Sequence, residues 1–380
     1  MRPRDPAEPH RVASSLELFF DLVFVIAVSI GSSELHHALS AGHAVHGLIS
    51  YAMVFFGIWW AWMNFTWFAT SFGCDDWLYR VLTIVQMSGV LVLAAGIGPA
   101  FDEHHPDFTV LVIAYIVMRV AMVLQWLRAS RAAPGTRGTA LRYAIGISAA
   151  QVLWVGFLFV PDAAKPVVFA ALALAEIAVP VVAELRVQTP WHPHHITERY
   201  SLFTLIVLGE SLLASATAII GAREKVDSIG PLIGVAAVAL VSAAAMWWIY
   251  FWPPHHRAIS TLWHSLRYGY THYFVFAAAA AFSAGVEVQI DALTGDTDLD
   301  PLAVSFTASV PIALFLIGIW FVAIRENAGR VVNTVVPLGA LLVLVDPLLP
   351  FSVTLTAAIM VAIVVVLVLR SPVRRGALAA

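Results

Sequence analysis

Runs of roughly 20 apolar residues recur along the chain from Leu16 to Leu369, and this repetition constrains the fold more than any single motif. A helix needs ~20 residues to cross the hydrocarbon core of a bilayer. Inside lipid every backbone N–H and C=O must find a partner within the protein, so a chain of such runs folds as a bundle of membrane-spanning helices. Read by apolar length and by polar, Gly or Pro breaks, the spans fall at 16–33, 44–70, 78–99, 108–128, 140–160, 166–185, 199–220, 230–252, 266–288, 302–324, 331–346 and 352–370. The eleventh is short, and Pro337 interrupts it. Composition agrees: 60% of the 380 residues are apolar and 12% charged, about half the charge of an ordinary soluble domain. A net charge of −3 points away from nucleic acid, and one cysteine, Cys74, excludes a disulfide framework or a cysteine-built metal cluster. No small-residue cleavage site follows a short apolar core near Met1, so the first run is read as a retained helix.

Orientation follows from the distribution of lysine and arginine. With the N-terminus in the cytoplasm, twelve spans put 17 of the 21 Lys and Arg on the cytoplasmic side, including Arg2, Arg11, Arg374 and Arg375. Lys165, Arg223 and Lys225 fall outside, and Arg119 lies within a span. The acids Asp291, Asp296, Asp298 and Asp300 are expected in an outer loop. An internal repeat is also legible. Glu17 opens the first span and Glu198 the seventh; Trp59-Trp60-Ala61-Trp62 has a counterpart in Trp247-Trp248-Ile249-Tyr250; Arg80 and Arg267 follow these motifs at spacings of 21 and 20 residues. The fold expected is an all-α polytopic membrane protein of about twelve helices in two parallel-oriented six-helix repeats, with both termini cytoplasmic. Its parts are a tail at 1–15, a first repeat at 16–185, a His-rich linker at 186–198, a second repeat at 199–370 and a tail at 371–380.

Ionisable residues inside spans are the first functional candidates, because a charge near the bilayer centre costs ~2.5–3.5 kcal/mol on insertion scales. Arg119, Glu176 and Glu210 lie near the middles of the fourth, sixth and seventh spans. Arginine stays charged, so an acid from another helix, Glu210 or Glu176, should face Arg119. Glu17 and Asp21 are spaced i, i+4 and share one helical face, an arrangement that favours proton binding unless an arginine stands nearby. Ser211 adds a hydroxyl beside Glu210, and Gly209 permits close helix approach. These residues form the expected ion path: Glu17, Asp21, Arg119, Glu176, Glu210 and Ser211.

At the cytoplasmic mouth of the seventh span, His195, Glu198 and Arg199, with Asp76, form a second candidate polar site. The plainer reading has Thr197 capping the helix and Glu198 complementing its dipole. Six histidines, His36, His37, His43, His46, His104 and His105, are expected on outer loops, where solvation is the ordinary state and metal binding or pH sensing the alternative. Trp59, Trp60, Trp62, Trp67, Trp247, Trp248 and Trp252 read as an interfacial aromatic belt, with a ligand cage as the alternative. No cofactor and no metal is expected. The expected partners are the lipid bilayer, a small ion or proton and a second copy of the chain.

Two stretches carry a family resemblance. Ser15-Leu16-Glu17-Leu18-Phe19-Phe20-Asp21-Leu22-Val23-Phe24-Val25 resembles the opening signature of the bacterial low temperature requirement protein A family. His195-Ile196-Thr197-Glu198-Arg199 through Leu208-Gly209-Glu210-Ser211 resembles its second signature, and Asp75-Asp76 fits as well. The resemblance implies a bacterial cytoplasmic-membrane protein tied to growth in the cold, a phenotype that names neither substrate nor reaction. Tandem six-helix halves with an acid and phenylalanines in the first helix are also similar to lysosomal and bacterial potassium channels, which have a serine where this chain has Phe20. The expected function is an ion- or proton-coupled transporter or channel. A structural or sensory membrane protein and an enzyme acting on a lipid at the cytoplasmic face are the alternatives.

Overall fold

The computed structural model describes residues 3–5, 8, 12–350 and 352–372. Arg2, Arg11, Arg374 and Arg375 lie outside the described residues. The fold is all-α, and we number its long helices α1 (Ser15–Ser40), α2 (Ala44–Ser71), α3 (Trp77–Ala95), α4 (Thr109–Ala132), α5 (Arg137–Phe157), α6 (Lys165–Glu184), α7 (Pro193–Ala222), α8 (Gly230–Phe251), α9 (Leu262–Thr294), α10 (Pro301–Ile319), α11 (Arg330–Val345) and α12 (Ser352–Leu369). Among the described residues, eleven helices are long and apolar enough to cross a membrane, and Val353–Leu369 is a shorter apolar helix. The protein is therefore a polytopic membrane protein. Pro337 is accommodated inside α11, and a π-helical turn, Trp320–Ile324, extends α10.

Helix ends are set by local chemistry. Asp76 caps α3 by accepting from the Tyr79 N–H, Thr261 caps α9 at His264, and Asp300 caps α10 at Leu302. Ser14 and Glu17 form a capping box: the Glu17 carboxylate accepts from the Ser14 N–H at 2.7 Å while the Ser14 hydroxyl accepts from the Glu17 N–H at 3.3 Å. Gly295, at φ +77°, ends α9 in the left-handed region.

Several expected boundaries are corrected. α1 continues to Ser40, so His36 and His37 are helical, because Leu35 and Leu39 bury one face, four residues apart, beyond the long apolar run. His46 sits in the first turn of α2, and Asp291 in the last turn of α9. α7 begins at Pro193, which places Thr197 within the helix; its hydroxyl donates to the Pro193 and His194 carbonyls and does not cap. The helix starts early because Ile196, Tyr200 and Phe203 already form a fully buried stripe. The belt reading fails for α2: Trp59, Trp60 and Trp62 are buried, whereas Trp247 and Trp248 of α8 are exposed.

The chain divides into two compact units. The first takes the residues up to Glu34 and Leu48–Leu202; the second takes Leu35–Gly47 and the chain from Phe203 onward. The unit boundaries thus fall within α1 and α7 as well as near the start of α2. In the first unit α3 packs on α4, α4 on α5 and α5 on α6, while Phe20 of α1 meets Phe65 of α2 with ring centroids 4.0 Å apart. In the second unit α9 packs on α10. Gly285 makes that approach close, since a Cβ there would stand 2.3 Å from the Thr307 carbonyl oxygen.

Candidate functional site

The first unit holds a buried ionic cluster built by two helices, each offering a pair of residues four apart. α1 supplies Glu17 and Asp21; the first turns of α7 supply His195 and Arg199. Exposure is 2% for Glu17 and 0% for Asp21, His195 and Arg199. Arg199 forks onto Asp21, Nε donating to Oδ2 at 3.1 Å and an Nη to Oδ1 at 2.5 Å. Its other Nη stands 3.4 Å from Glu17 Oε1, and His195 Nε2 stands 3.3 Å from that same oxygen. Trp62 of α2 donates its indole N–H to Asp21 Oδ1 at 2.7 Å. The far oxygen of Glu17 takes the Ser14 backbone and hydroxyl donors at 2.7 and 2.8 Å. The arginine whose presence would reverse the proton-pair reading of Glu17 and Asp21 is therefore Arg199. Glu198 is half-buried on the same turn of α7.

A second buried cluster lies in the same unit. The Arg119 guanidinium stands 3.5 Å from Glu176 Oε1, with exposures of 3% and 1%. Glu176 is gripped by two indoles, Trp60 donating to Oε2 at 2.8 Å and Trp154 to Oε1 at 3.1 Å. Glu176, one of the two acids considered for Arg119, is in contact with it. The indole donors escaped the sequence reading because tryptophans on an apolar helix are ordinarily packing or belt residues. The Ser14-x-x-Glu17 box was readable and would have marked Glu17 as a helix-start residue.

Asp76 is engaged elsewhere in that unit. Besides capping α3, it pairs with Arg128 of α4 and accepts the Cys74 thiol at 2.8 Å. The Arg128 hydrogen bond holds its carboxyl well below the usual carboxylate range. In the second unit Ser211 donates to the Val207 and Ala279 carbonyls, both at 3.1 Å, which ties α7 to α9. Glu210 is half-buried within electrostatic reach of Glu287. His36 bridges Glu287 at 3.4 Å and Asp291 at 2.6 Å, and Ser40 donates to Asp291 at 2.6 Å. Among the described residues, no three His, Cys, Asp or Glu side chains are placed to hold a metal ion.

Residues 12–369 match the family model described as Bacterial low temperature requirement A protein (LtrA). The chain belongs to the bacterial low temperature requirement A family. It is also 28% identical over 256 residues to an uncharacterized protein of Rhizobium meliloti (strain 1021), a match covering 65% of this chain and 60% of that relative. In this LtrA-family chain, the stretch around 15–25 supplies Glu17 and Asp21, and the stretch around 195–211 supplies His195 and Arg199. What joins the two stretches is charge pairing inside one unit.

The second unit of this family member also carries a buried histidine–tyrosine network. His255 Nε2 faces the Tyr250 carbonyl at 2.6 Å, and since a carbonyl only accepts, that nitrogen carries the proton. Its Nδ1 then accepts from the Tyr268 hydroxyl at 3.0 Å. The same logic makes His272 Nδ1 the donor to the Tyr268 carbonyl at 2.7 Å and Nε2 the acceptor from the Tyr250 hydroxyl at 3.2 Å. Both rings are thereby satisfied in the neutral form. Burial pushes the His255 imidazole down to about 4.

Proposed function

We propose that this protein is a proton-coupled transporter or channel for a small ion or solute, with Glu17, Asp21, His195 and Arg199 as its proton-binding cluster. The observation that carries the reading is the charge count. With both carboxylates ionised, two of them and one guanidinium leave one negative charge uncompensated in a site that is 0–2% exposed. An isolated buried charge is costly, and His195 stands 3.3 Å from Glu17, where a proton on the imidazole neutralises the cluster. Tyr79 is the further titratable group within electrostatic reach of Arg199. Uptake and release of this proton would switch the cluster between neutral and singly charged states. Such a switch biases how α1 and the start of α7 pack, which is what coupling requires.

The wider architecture belongs to the same proposal: twelve spans in two parallel six-helix repeats, 16–185 and 199–370, joined by the linker 186–198, with tails at 1–15 and 371–380 on the cytoplasmic side. Arg119, Glu176, Glu210 and Ser211 complete the proposed path, and Glu198 and Asp76 its cytoplasmic surroundings. The complete burial of His195 and Arg199 weighs against an enzyme acting on lipid headgroups, because reacting groups must be reached by their substrate. The test is proton and potassium flux in proteoliposomes holding the purified protein, compared with Glu17→Gln, His195→Gln and Glu210→Gln. A loss of flux in Glu17→Gln, His195→Gln and Glu210→Gln is expected. Equal flux in all four proteins, or none in any, would leave the cluster as a packing ion pair and favour the structural or sensory reading.

A further inference from the structure

The Arg119 cluster of the first unit has a property the Glu17 cluster lacks. All three guanidinium nitrogens of Arg119 are buried and without a hydrogen bond, although the side chain is only 3% exposed. Glu176 does not meet this demand: at 3.5 Å it is beyond the 2.7–2.9 Å of a charge-assisted hydrogen bond, and its two oxygens are turned to the Trp60 and Trp154 indoles. Five N–H donors buried without an acceptor are expensive. Gln151 of α5 shows a similar deficit. It lies one turn before Trp154 on the same face of α5, and both its amide atoms are buried without a partner.

Next to this polar group is an apolar cavity of about 40 Å³, lined by Met53, Leu93, Leu111, Val112, Phe157 and Phe169 among others. Tyr115 and Trp154 also line it. The Arg119 guanidinium lies 5.0 Å over the Tyr115 ring, and Trp154 is one of the indoles on Glu176, so cavity and charged pair share two walls. A water needs ~10–15 Å³ by this measure, which gives the cavity room for roughly three or four carbon atoms.

We propose that Arg119, Glu176 and this cavity form a binding site for a short-chain carboxylic acid, held with its carboxylate on the Arg119 fork and its alkyl chain in the cavity. The planar guanidinium matches a carboxylate through two parallel N–H···O bonds. Charge decides the form in which the acid enters. Arg119 and Glu176 sum to zero, and a carboxylate alone would bring an uncompensated negative charge. If the acid arrives with its proton, its O–H bond breaks, a Glu176 O–H bond forms, and the site stays neutral. The titratable and charged groups meeting there are Arg119 and Tyr115 of α4 and Glu176 of α6; α2 contributes the Trp60 indole and α5 the Trp154 indole. The inference stands whether or not the Glu17 cluster couples transport to protons, since it concerns binding and a different set of side chains.

Isothermal titration of the purified full chain with butyrate and with acetate tests it. Butyrate should bind with uptake of one proton, read from the heat in buffers of different ionisation enthalpy, and its affinity should rise about tenfold per unit fall in pH while the free acid is ionised. Arg119→Lys keeps the charge, loses the fork, and should weaken both ligands at least tenfold. Val112→Phe narrows the cavity and leaves Arg119 untouched; it should weaken butyrate and spare acetate. No binding of butyrate by the unaltered protein would overturn the proposal. So would pH-independent binding, or binding that survives both substitutions, and the flux outcome of the Glu17 variants affects none of these results.

Discussion

Removing the charge of Arg199 while keeping its bulk, as Arg199→Met, leaves Asp21 and Glu17 facing each other in a site where neither is more than 2% exposed. Three contacts vanish: the two hydrogen bonds to Asp21 at 3.1 and 2.5 Å and the 3.4 Å approach to Glu17. Breaking a buried pair from one side costs about 3–5 kcal/mol, chiefly because a buried charge is left uncompensated. Asp21→Asn is milder. Arg199 still faces Glu17, and an Asn oxygen can accept from Trp62, so the loss is about 1–3 kcal/mol of charge-assisted hydrogen bonding. Independent sites would add to about 4–8 kcal/mol in the double variant. The geometry demands otherwise: with both charges gone, Glu17 and His195 can form a neutral pair, and the double variant should be no less stable than Arg199→Met alone. Reversible unfolding of the purified protein in mixed micelles, titrated with SDS, measures all four corners of this cycle. Additivity of the two substitutions, or an Arg199→Met variant within about 1 kcal/mol of the unaltered protein, would refute the reasoning.

Two further outcomes follow from the second unit. The unfolded His255 imidazole is charged below its ordinary 6.5 while the folded one stays neutral to about 4, so the unfolded state binds more protons in that window. Stability should fall by up to about 3 kcal/mol as pH drops from 6.5 to 4, and His255→Gln should flatten that slope in the same unfolding assay; an unchanged slope would contradict the neutral network. Gly285→Val would force a side chain against the Thr307 backbone, and overpacking of about 1–3 kcal/mol should appear as an earlier unfolding midpoint, with an unshifted midpoint counting against the close α9–α10 contact.

Much of the architecture was legible because lipid imposes one answer on each apolar run: a helix whose backbone satisfies itself. Boundaries were less legible where a polar stretch continued a buried stripe. At His36 and at His194 the local sequence is polar, but Leu35, Leu39, Ile196 and Tyr200 bury the opposite face and keep the helix going. The ionisable residues themselves could be picked out, since a charge in a span is rare and conspicuous.

Pairing was another matter. Sequence places Glu17 and Asp21 on one face of α1, yet the same spacing serves a proton pair or an arginine-bound pair, and only the tertiary contact with Arg199, 178 residues further on, separates them. The tryptophans make the same point. A Trp-rich helix reads as a membrane-interface belt, and composition carries no sign that Trp60 and Trp62 turn inward to donate to Glu176 and Asp21. The sequence by itself determined that this chain spans a membrane, through helices that must satisfy their own backbones, and which charges that membrane makes costly. Which partner compensates each charge, and which one keeps donors to spare, was decided by packing, because hydrogen-bond geometry depends on distances between helices that no local pattern encodes.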